Sequence, residues 1–434
     1  MKSKWLMLIL VVLLVLAVNV GCAPADEPAE PAEPADPADP VDEPADIEEF
    51  LIVGLFPFTG PLSTFAENNA EAAKLASEDV NAWLEEEGKN WRLRLELDDT
   101  QTEGPVALRK MQSWYGEGVQ FFAGPMASGA TGECLSFANA NEILFISPSS
   151  TSPALGLADD WLYRFCTDDL IQGPAIARIA SEAGAEHIIF GWRGDTWGDG
   201  LQGAAQSSIE GLGIEIYPEK LRYDPLKEDF ATDVALLDEY VTDLVEQGVA
   251  LETIAFNLIA FEEAAPFLTE AAGYDQLWDI IWIGSDGTAY SEAVRAHPVA
   301  SEFAAEVKFA NTMNRLPEEF AEESHHERVK EHISETLGRD TDAYSYNSYD
   351  IIWAFALAFD EVGYDSAAVK EVMPGMVDEW SRVYGASGHI VLNEAGDRAF
   401  ADYDIIVLGD DLEWFIPGYY DGAADTISWS VEIY

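Results

Sequence analysis

The 434-residue chain carries 80 Asp and Glu against 23 Lys and Arg, a formal charge of −57, and 48% of its residues are hydrophobic. A surface so acidic repels nucleic acid and anionic lipid headgroups, which excludes nucleic acid as a partner. Length and hydrophobic share together suffice for two ordinary domains with substantial cores.

In chain order, Lys2 and Lys4 precede an apolar run from Trp5 to Val18, and Gly21-Cys22 closes the segment. This is the order of a secretory signal rather than of a mature membrane helix. A Cys directly after Gly at that point resembles a bacterial or archaeal lipoprotein cleavage site, although Asn19 stands where that pattern usually has Leu or Val. Residues 1–22 are therefore expected to be a lipoprotein signal with Cys22 lipidated, anchoring the chain to the membrane. Ordinary signal cleavage beside a chance Cys is the alternative.

Residues 23–47 form an acidic, Pro- and Ala-rich stretch with an approximate three-residue repeat. Pro fixes φ and supplies no backbone donor, and the like charges repel, so a semi-rigid stalk of up to roughly 70 Å is expected at about 3 Å per residue. It cannot bury enough apolar surface to fold. Beyond residue 49 the chain still carries 69 acids against 21 bases, a net of −48. Solubility alone is one reading; adaptation to saline surroundings, where screening relieves self-repulsion, is the favoured one, since solubility needs far less charge than this.

The folded region opens on Phe50-Leu-Ile-Val-Gly-Leu-Phe-Pro, a continuous apolar run that reads as a buried parallel strand. A helix is predicted over Asn69 to Leu84, a strand over Trp91 to Leu97, a helix over Pro105 to Tyr115 and a strand over Gln120 to Ala123. Ser128 to Asn141 reads as a helix and Ile143 to Ser147 as a strand. Strands at His187–Trp192, Ile214–Tyr217, Thr253–Leu258 and Ile280–Gly284 then alternate with helices at Leu201–Leu212, Asp233–Gln247 and Glu262–Ala272. This alternation predicts an α/β fold of doubly wound parallel sheets with helices on both faces. Ligands of such sheets bind beyond the carboxyl ends of the strands.

Six segments occur in order: Gly54-Leu-Phe-Pro-Phe-Thr-Gly-Pro, Gly124-Pro-Met-Ala-Ser-Gly-Ala-Thr, Ile146-Ser-Pro-Ser-Ser-Thr-Ser-Pro, Gln172-Gly-Pro, Trp197-Gly-Asp-Gly-Leu and Ile283-Gly-Ser-Asp-Gly. Taken together they resemble the branched-chain amino acid (Leu/Ile/Val) binding-protein family of ABC importers, over nearly all of residues 48–410. The resemblance implies the type I periplasmic-binding-protein fold: two lobes joined by three crossovers, near Thr167, Ala310 and Val391, closing on a small ligand. On that reading residues 48–167 and 310–391 form lobe I, and residues 168–309 and 392–434 form lobe II.

Ser128 follows a buried strand and heads a helix, where free N–H groups make a ready carboxylate site. Ser149 and Thr151 end the next strand. The resemblance makes Ser128, Ser149 and Thr151 the clamp on a ligand carboxylate; helix capping alone is the plainer reading of Ser128. Asp286, just past the strand Ile280–Gly284, matches the family acid that pairs with the ligand ammonium, with Asp where branched-chain binders commonly have Glu. A post-strand Asp is otherwise a turn residue. Phe65, Trp197 and Tyr344 fall at the matching wall positions, Trp197 on a loop and Tyr344 ahead of a helix, and Met126 and Ala127 at the floor. Rings there accept an ammonium by cation–π contact. No contact is assigned over residues 257–261.

Gly198-Asp-Gly-Leu-Gln-Gly fits the dinucleotide pattern G-x-G-x-x-G, but the preceding strand ends too early for its tight turn. His325, His326 and His332 lack the spacing of a metal pair and read as a solvated surface helix. Cys134 and Cys166 can pair in an oxidising compartment or stay as buried free thiols. No cofactor is implied. The family resemblance implies a non-enzymatic protein that captures an amino-acid-like ligand and hands it to an ABC permease and ATPase in the membrane. A surface sensor of the same fold, a binder of amides, urea or a compatible solute, and an exported hydrolase are the competing classes; the last lacks a visible nucleophile–base pair.

Overall fold

Residues 47–434 are described by a computed structural model; the expected signal, Cys22 and the stalk up to Asp46 lie outside the described residues. The first strand, β1 (Glu48–Phe56), is buried from Phe50 onward except for half-buried Leu51. It is followed by α1 (Ser63–Glu86), β2 (Trp91–Asp99), α2 (Gly104–Gly116), β3 (Phe121–Ala123), α3 (Ser128–Asn141), β4 (Leu144–Ser147) and β5 (Leu162–Arg164). The strands pair in the order β2-β1-β3-β4-β5, all parallel, with Val53 opposite Phe122 and Ala123 opposite Ile146. That register brings the carboxyl ends of β1, β3 and β4 to one edge. Gly124 makes the turn out of β3 at φ +92°, where a Cβ would meet the Leu55 carbonyl oxygen at 2.5 Å. Only Gly fits such a close approach at positive φ.

A second lobe follows: α4 (Asp169–Glu182), β6 (His187–Arg193), α5 (Thr196–Leu212), β7 (Glu215–Ile216), β8 (Leu221–Tyr223), α6 (Ala231–Glu246), β9 (Ile254–Ile259), α7 (Ala264–Ala271), β10 (Ile281–Ile283), α8 (Glu292–Ala296) and α9 (Pro298–Glu306). Its sheet is again parallel, in the order β10-β9-β6-β7, with β8 also on β6. Ala310 adds to its edge by pairing with Ile283. The chain continues through β11 (Asn311–Asn314), α10 (His326–Leu337), α11 (Ala343–Val362) and α12 (Ser366–Tyr384). It ends in β12 (Tyr403–Leu408), β13 (Trp414–Asp421) and β14 (Thr426–Trp429), which join β11 in an antiparallel sheet. Helix α11 is buried along nearly its whole length and packs on α1 of the first lobe.

The passages between lobes are tied to one another. Asn314 Nδ2 donates to Thr167 Oγ1 at 3.0 Å, and the same hydroxyl lies 2.9 Å from the Tyr403 hydroxyl. Asp397 pairs in parallel with Arg164, so pairing on the first sheet continues past Val391. Arg164 is fully buried and binds Asp397 through Nε and Nη2 at 2.5 and 2.6 Å. Such a bidentate pair in the interior fixes orientation as well as charge.

Two expectations change, at the rings and at the histidines, while the cysteines take one of their two expected states. Trp197 and Tyr344 are each the second residue of a helix, α5 and α11, because Asp195 and Asp342 cap those helices earlier than the apolar pattern suggests. Cys134 and Cys166 are both buried free thiols, and burial pushes both well above the ordinary thiol range. His325 and His326 are half-buried rather than solvated. His326 stacks between Phe320 and Tyr346 at 3.9 and 4.4 Å, and burial lowers the pKa of both.

Candidate functional site

Where β3 ends, α3 starts at Ser128 with no side-chain cap on its first N–H groups. Those groups have no acceptor within the helix and carry the positive end of its dipole. The loop after β4 is held beside them by a buried hydroxyl network. Ser147 Oγ donates to the Pro125 carbonyl at 2.6 Å, Thr131 and Ser150 share a 2.6 Å bond, and Ser149 Oγ donates to the Met126 carbonyl at 3.1 Å. Ser128 Oγ accepts from the Ser152 N–H at 3.2 Å. From behind, Arg164 Nη1 donates to the carbonyls of Ser150 and Ser152 at 2.7 and 2.9 Å. The loop is thus fixed from both sides and needs little ordering when a ligand arrives.

Across from this loop stands Asp286, 4% exposed. Gln172 Nε2 donates to its Oδ1 at 2.8 Å, and the Tyr344 hydroxyl donates to its Oδ2 at 2.6 Å. Gln172 also donates to Thr312 Oγ1 at 2.8 Å, linking the acid to β11. Burial raises the Asp286 pKa, and the bonds from Tyr344 and Gln172 offset part of that rise. Asp169, the first residue of α4, is a second buried acid. Burial, and then the charge of Asp286, hold it well above the ordinary carboxylate range. Its N–H donates to the Thr151 carbonyl at 2.8 Å, yet both its carboxylate oxygens and the Thr151 hydroxyl lack a hydrogen-bond partner.

Aromatic rings close the sides. Phe65 and Tyr344 lie 6.2 Å apart between centroids, tilted by 56°. Trp197 stacks on Phe261 at 4.5 Å and 18°, and the Arg193 guanidinium sits 4.0 Å from the Phe261 centroid. Arg193 is itself held by Asp195 at 2.6 Å and Glu263 at 2.5 Å.

These groups line one cleft. Its lining brings together eight residues expected from the sequence: Phe65, Met126, Ala127, Ser128, Ser149, Trp197, Asp286 and Tyr344. Thr151 is not in that lining; it lies buried behind it, 1% exposed. Leu62, Phe261 and Gly287 complete the wall and were not foreseen. The cleft is shut by contacts between the lobes. Glu262 accepts from the hydroxyls of Ser63 and Thr64, its N–H donates to the Pro61 carbonyl at 3.2 Å, and Ser152 Oγ donates to the Thr196 carbonyl at 2.8 Å.

Two parallel-sheet lobes closed over a buried cleft at their strands' carboxyl ends define a type I periplasmic-binding fold. The chain belongs to the family described as the receptor family ligand binding region, whose model matches residues 68–411. An uncharacterized protein of Methanocaldococcus jannaschii is 31% identical over 399 residues, covering 88% of this chain and 92% of that one. Among solved structures, a leucine-binding protein of Thermotoga maritima superposes with a TM-score of 0.70 at 19% identity, over 85% of this chain and 98% of its own. A branched-chain amino acid transporter substrate-binding protein of Streptococcus pneumoniae, in complex with isoleucine, gives 0.70 at 17% identity over 85% and 98%. Among the described residues no helix is long and apolar enough to cross a membrane.

Proposed function

We propose that this chain is the extracytoplasmic substrate-binding component of an ABC importer, tethered by a lipid on Cys22. On this reading it captures a small zwitterion of the amino-acid class between its lobes and presents it to a membrane permease, without catalysing a reaction. The observation that carries this reading is the polarity of the cleft: the uncapped start of α3 with Ser128 and Ser149 at one end, and the buried carboxylate of Asp286 at the other. Helix N–H groups favour a carboxylate, and an acceptor-only carboxylate favours a cation, so a molecule bearing both is held at both ends. The likeness to leucine- and isoleucine-binding structures supports the ligand class by analogy of fold.

Capture follows as population shift. Contacts from both lobes to one ligand stabilise the closed arrangement, and the Glu262 ties and the Tyr344–Asp286 bond add to it. A thermal-shift screen of the mature chain against amino acids, amides, urea and betaines tests the reading. Stabilisation by zwitterions above all other classes is expected. Stabilisation by neutral amides alone, or by no member of the set, would overturn it.

A further inference from the structure

The first turn of α4 touches both ends of the cleft. The Asp169 N–H donates to the Thr151 carbonyl at 2.8 Å, on the loop beside Ser128, and Gln172 one turn further donates to Asp286 at 2.8 Å. Resting on the zwitterion reading above, we infer that Asp169 is a neutral acid in the ligand-free chain and gives up its proton when the ligand's cation meets Asp286.

The first argument is an inventory of hydrogen bonds. An ionised carboxylate is an acceptor only, so donors aimed at it favour its charge. Each Asp286 oxygen accepts from a donor, Gln172 on one side and Tyr344 on the other. Asp169 is fully buried, and neither of its oxygens accepts from anything. Gln172 Oε1, one turn along the same helix, is likewise a buried acceptor without a donor. The Thr151 hydroxyl offsets part of the upward pKa shift of Asp169 but makes no hydrogen bond. Ionising Asp169 puts a charge where no donor meets it, whereas the neutral acid brings a hydrogen of its own.

The second argument is charge. Asp286, Asp168, the Cys166 thiol and the Tyr403 hydroxyl face Asp169, and Tyr344 reaches Asp286 from α11. The facing cation, Arg164, is engaged by Asp397 through Nε and Nη2 and by the carbonyls of Ser150 and Ser152 through Nη1. Two neighbouring buried carboxylates repel, and the one without donors keeps the proton. A ligand cation paired with Asp286 cancels that repulsion. The Asp169 O–H bond then breaks, its electron pair stays on the carboxylate, and the proton passes to the solvent. By linkage, affinity rises with pH wherever capture releases a proton.

Calorimetric titration of the mature chain with leucine, alanine and glutamine tests the inference. Pairs of buffers with unequal heats of ionisation are used between about pH 5 and about pH 8, where these ligands stay zwitterionic. The tightest binder should release a measurable fraction of a proton, and its affinity should rise with pH, by at most about tenfold per unit for one whole proton. Asp169→Asn has no proton to lose, so both the release and the slope should vanish; Asp169→Ser serves if the first variant does not fold. Binding without release at any pH, uptake instead of release, or release that persists in the variant would overturn the inference and leave the zwitterion reading standing. Failure of all three amino acids to bind would overturn both.

Discussion

The Tyr344 hydroxyl, on a helix packed against the first lobe, donates at 2.6 Å to Asp286 of the second, so the acid of the cleft is also a tie across it. Asp286→Ala should therefore act twice. Ligand affinity should fall by about 2–5 kcal/mol, as for removal of one partner of a buried charge pair. Tyr344→Phe, which removes the tie but keeps the carboxylate, should lose only about 1 kcal/mol. Calorimetry on the two variants checks this, and equal losses would show that the tie, not the charge, matters.

Thr151 offers a cleaner substitution. Its hydroxyl is buried without a hydrogen-bond partner in the ligand-free chain, and an orphaned polar group of that kind costs about 1–3 kcal/mol. Thr151→Val should leave the ligand-free melting temperature unchanged or raised. A marked fall would mean that the hydroxyl is bonded in the free protein.

Much of this arrangement was legible in the sequence because the first lobe repeats strand, turn and helix with buried strands too apolar to be anything else. Helix α3 begins at Ser128 as its Gly-Pro-Met-Ala lead-in suggests. The errors have local causes. Asp195 Oδ1 accepts from the Gly198 N–H at 2.9 Å, an N-cap that places Trp197 inside α5 although glycines flank it. Phe261 and Asp169 carry no signal of their own, and Gln172 stands in a family-like segment that gives no sign of its bond to Asp286. Phe261 follows a strand end and matters only through its stack on Trp197, while Gln172 and Asp169 act through partners more than 100 residues away or from the facing lobe. The antiparallel sheet of β11–β14 depends on pairing between segments far apart in sequence, which periodicity cannot reveal.

Acidity of the medium should stabilise the fold. Burial holds Asp160 and Asp350 up to about 6, against about 3.9 for an unfolded Asp. Between those values the folded chain binds more protons than the unfolded one, so stability falls as pH rises through the window from about 4 to about 6 and then levels off. Asp199, Asp378 and Asp425 shift the opposite way through Arg and His partners, but they lie near the surface, where screening weakens their effect, and the buried acids outnumber His325 and His326, whose lowered pKa opposes the trend below about pH 6.5. Melting temperature at high salt should be greater at about pH 5 than at about pH 8. The reverse order would contradict the account of these buried acids.

Salt should stabilise it as well. With 69 acids against 21 bases beyond residue 49, self-repulsion weakens the compact state in dilute buffer. The melting temperature should climb appreciably towards about 1 M NaCl, where the Debye length is about 3 Å. A flat or falling profile would leave the acidity as a solubility device.

Calorimetric titration of the mature chain with its best zwitterion and with the matching carboxamide tests the central claim most directly. On the proposed reading the uncapped start of α3 at Ser128 holds a charged carboxylate, and hydrogen bonds to a charged group contribute roughly 1.5–3 kcal/mol each. The carboxamide should bind at least about tenfold more weakly, and Ser128→Ala should narrow that gap. Equal affinity for the acid and the amide would contradict a cleft made to hold a carboxylate at one end and a cation at the other.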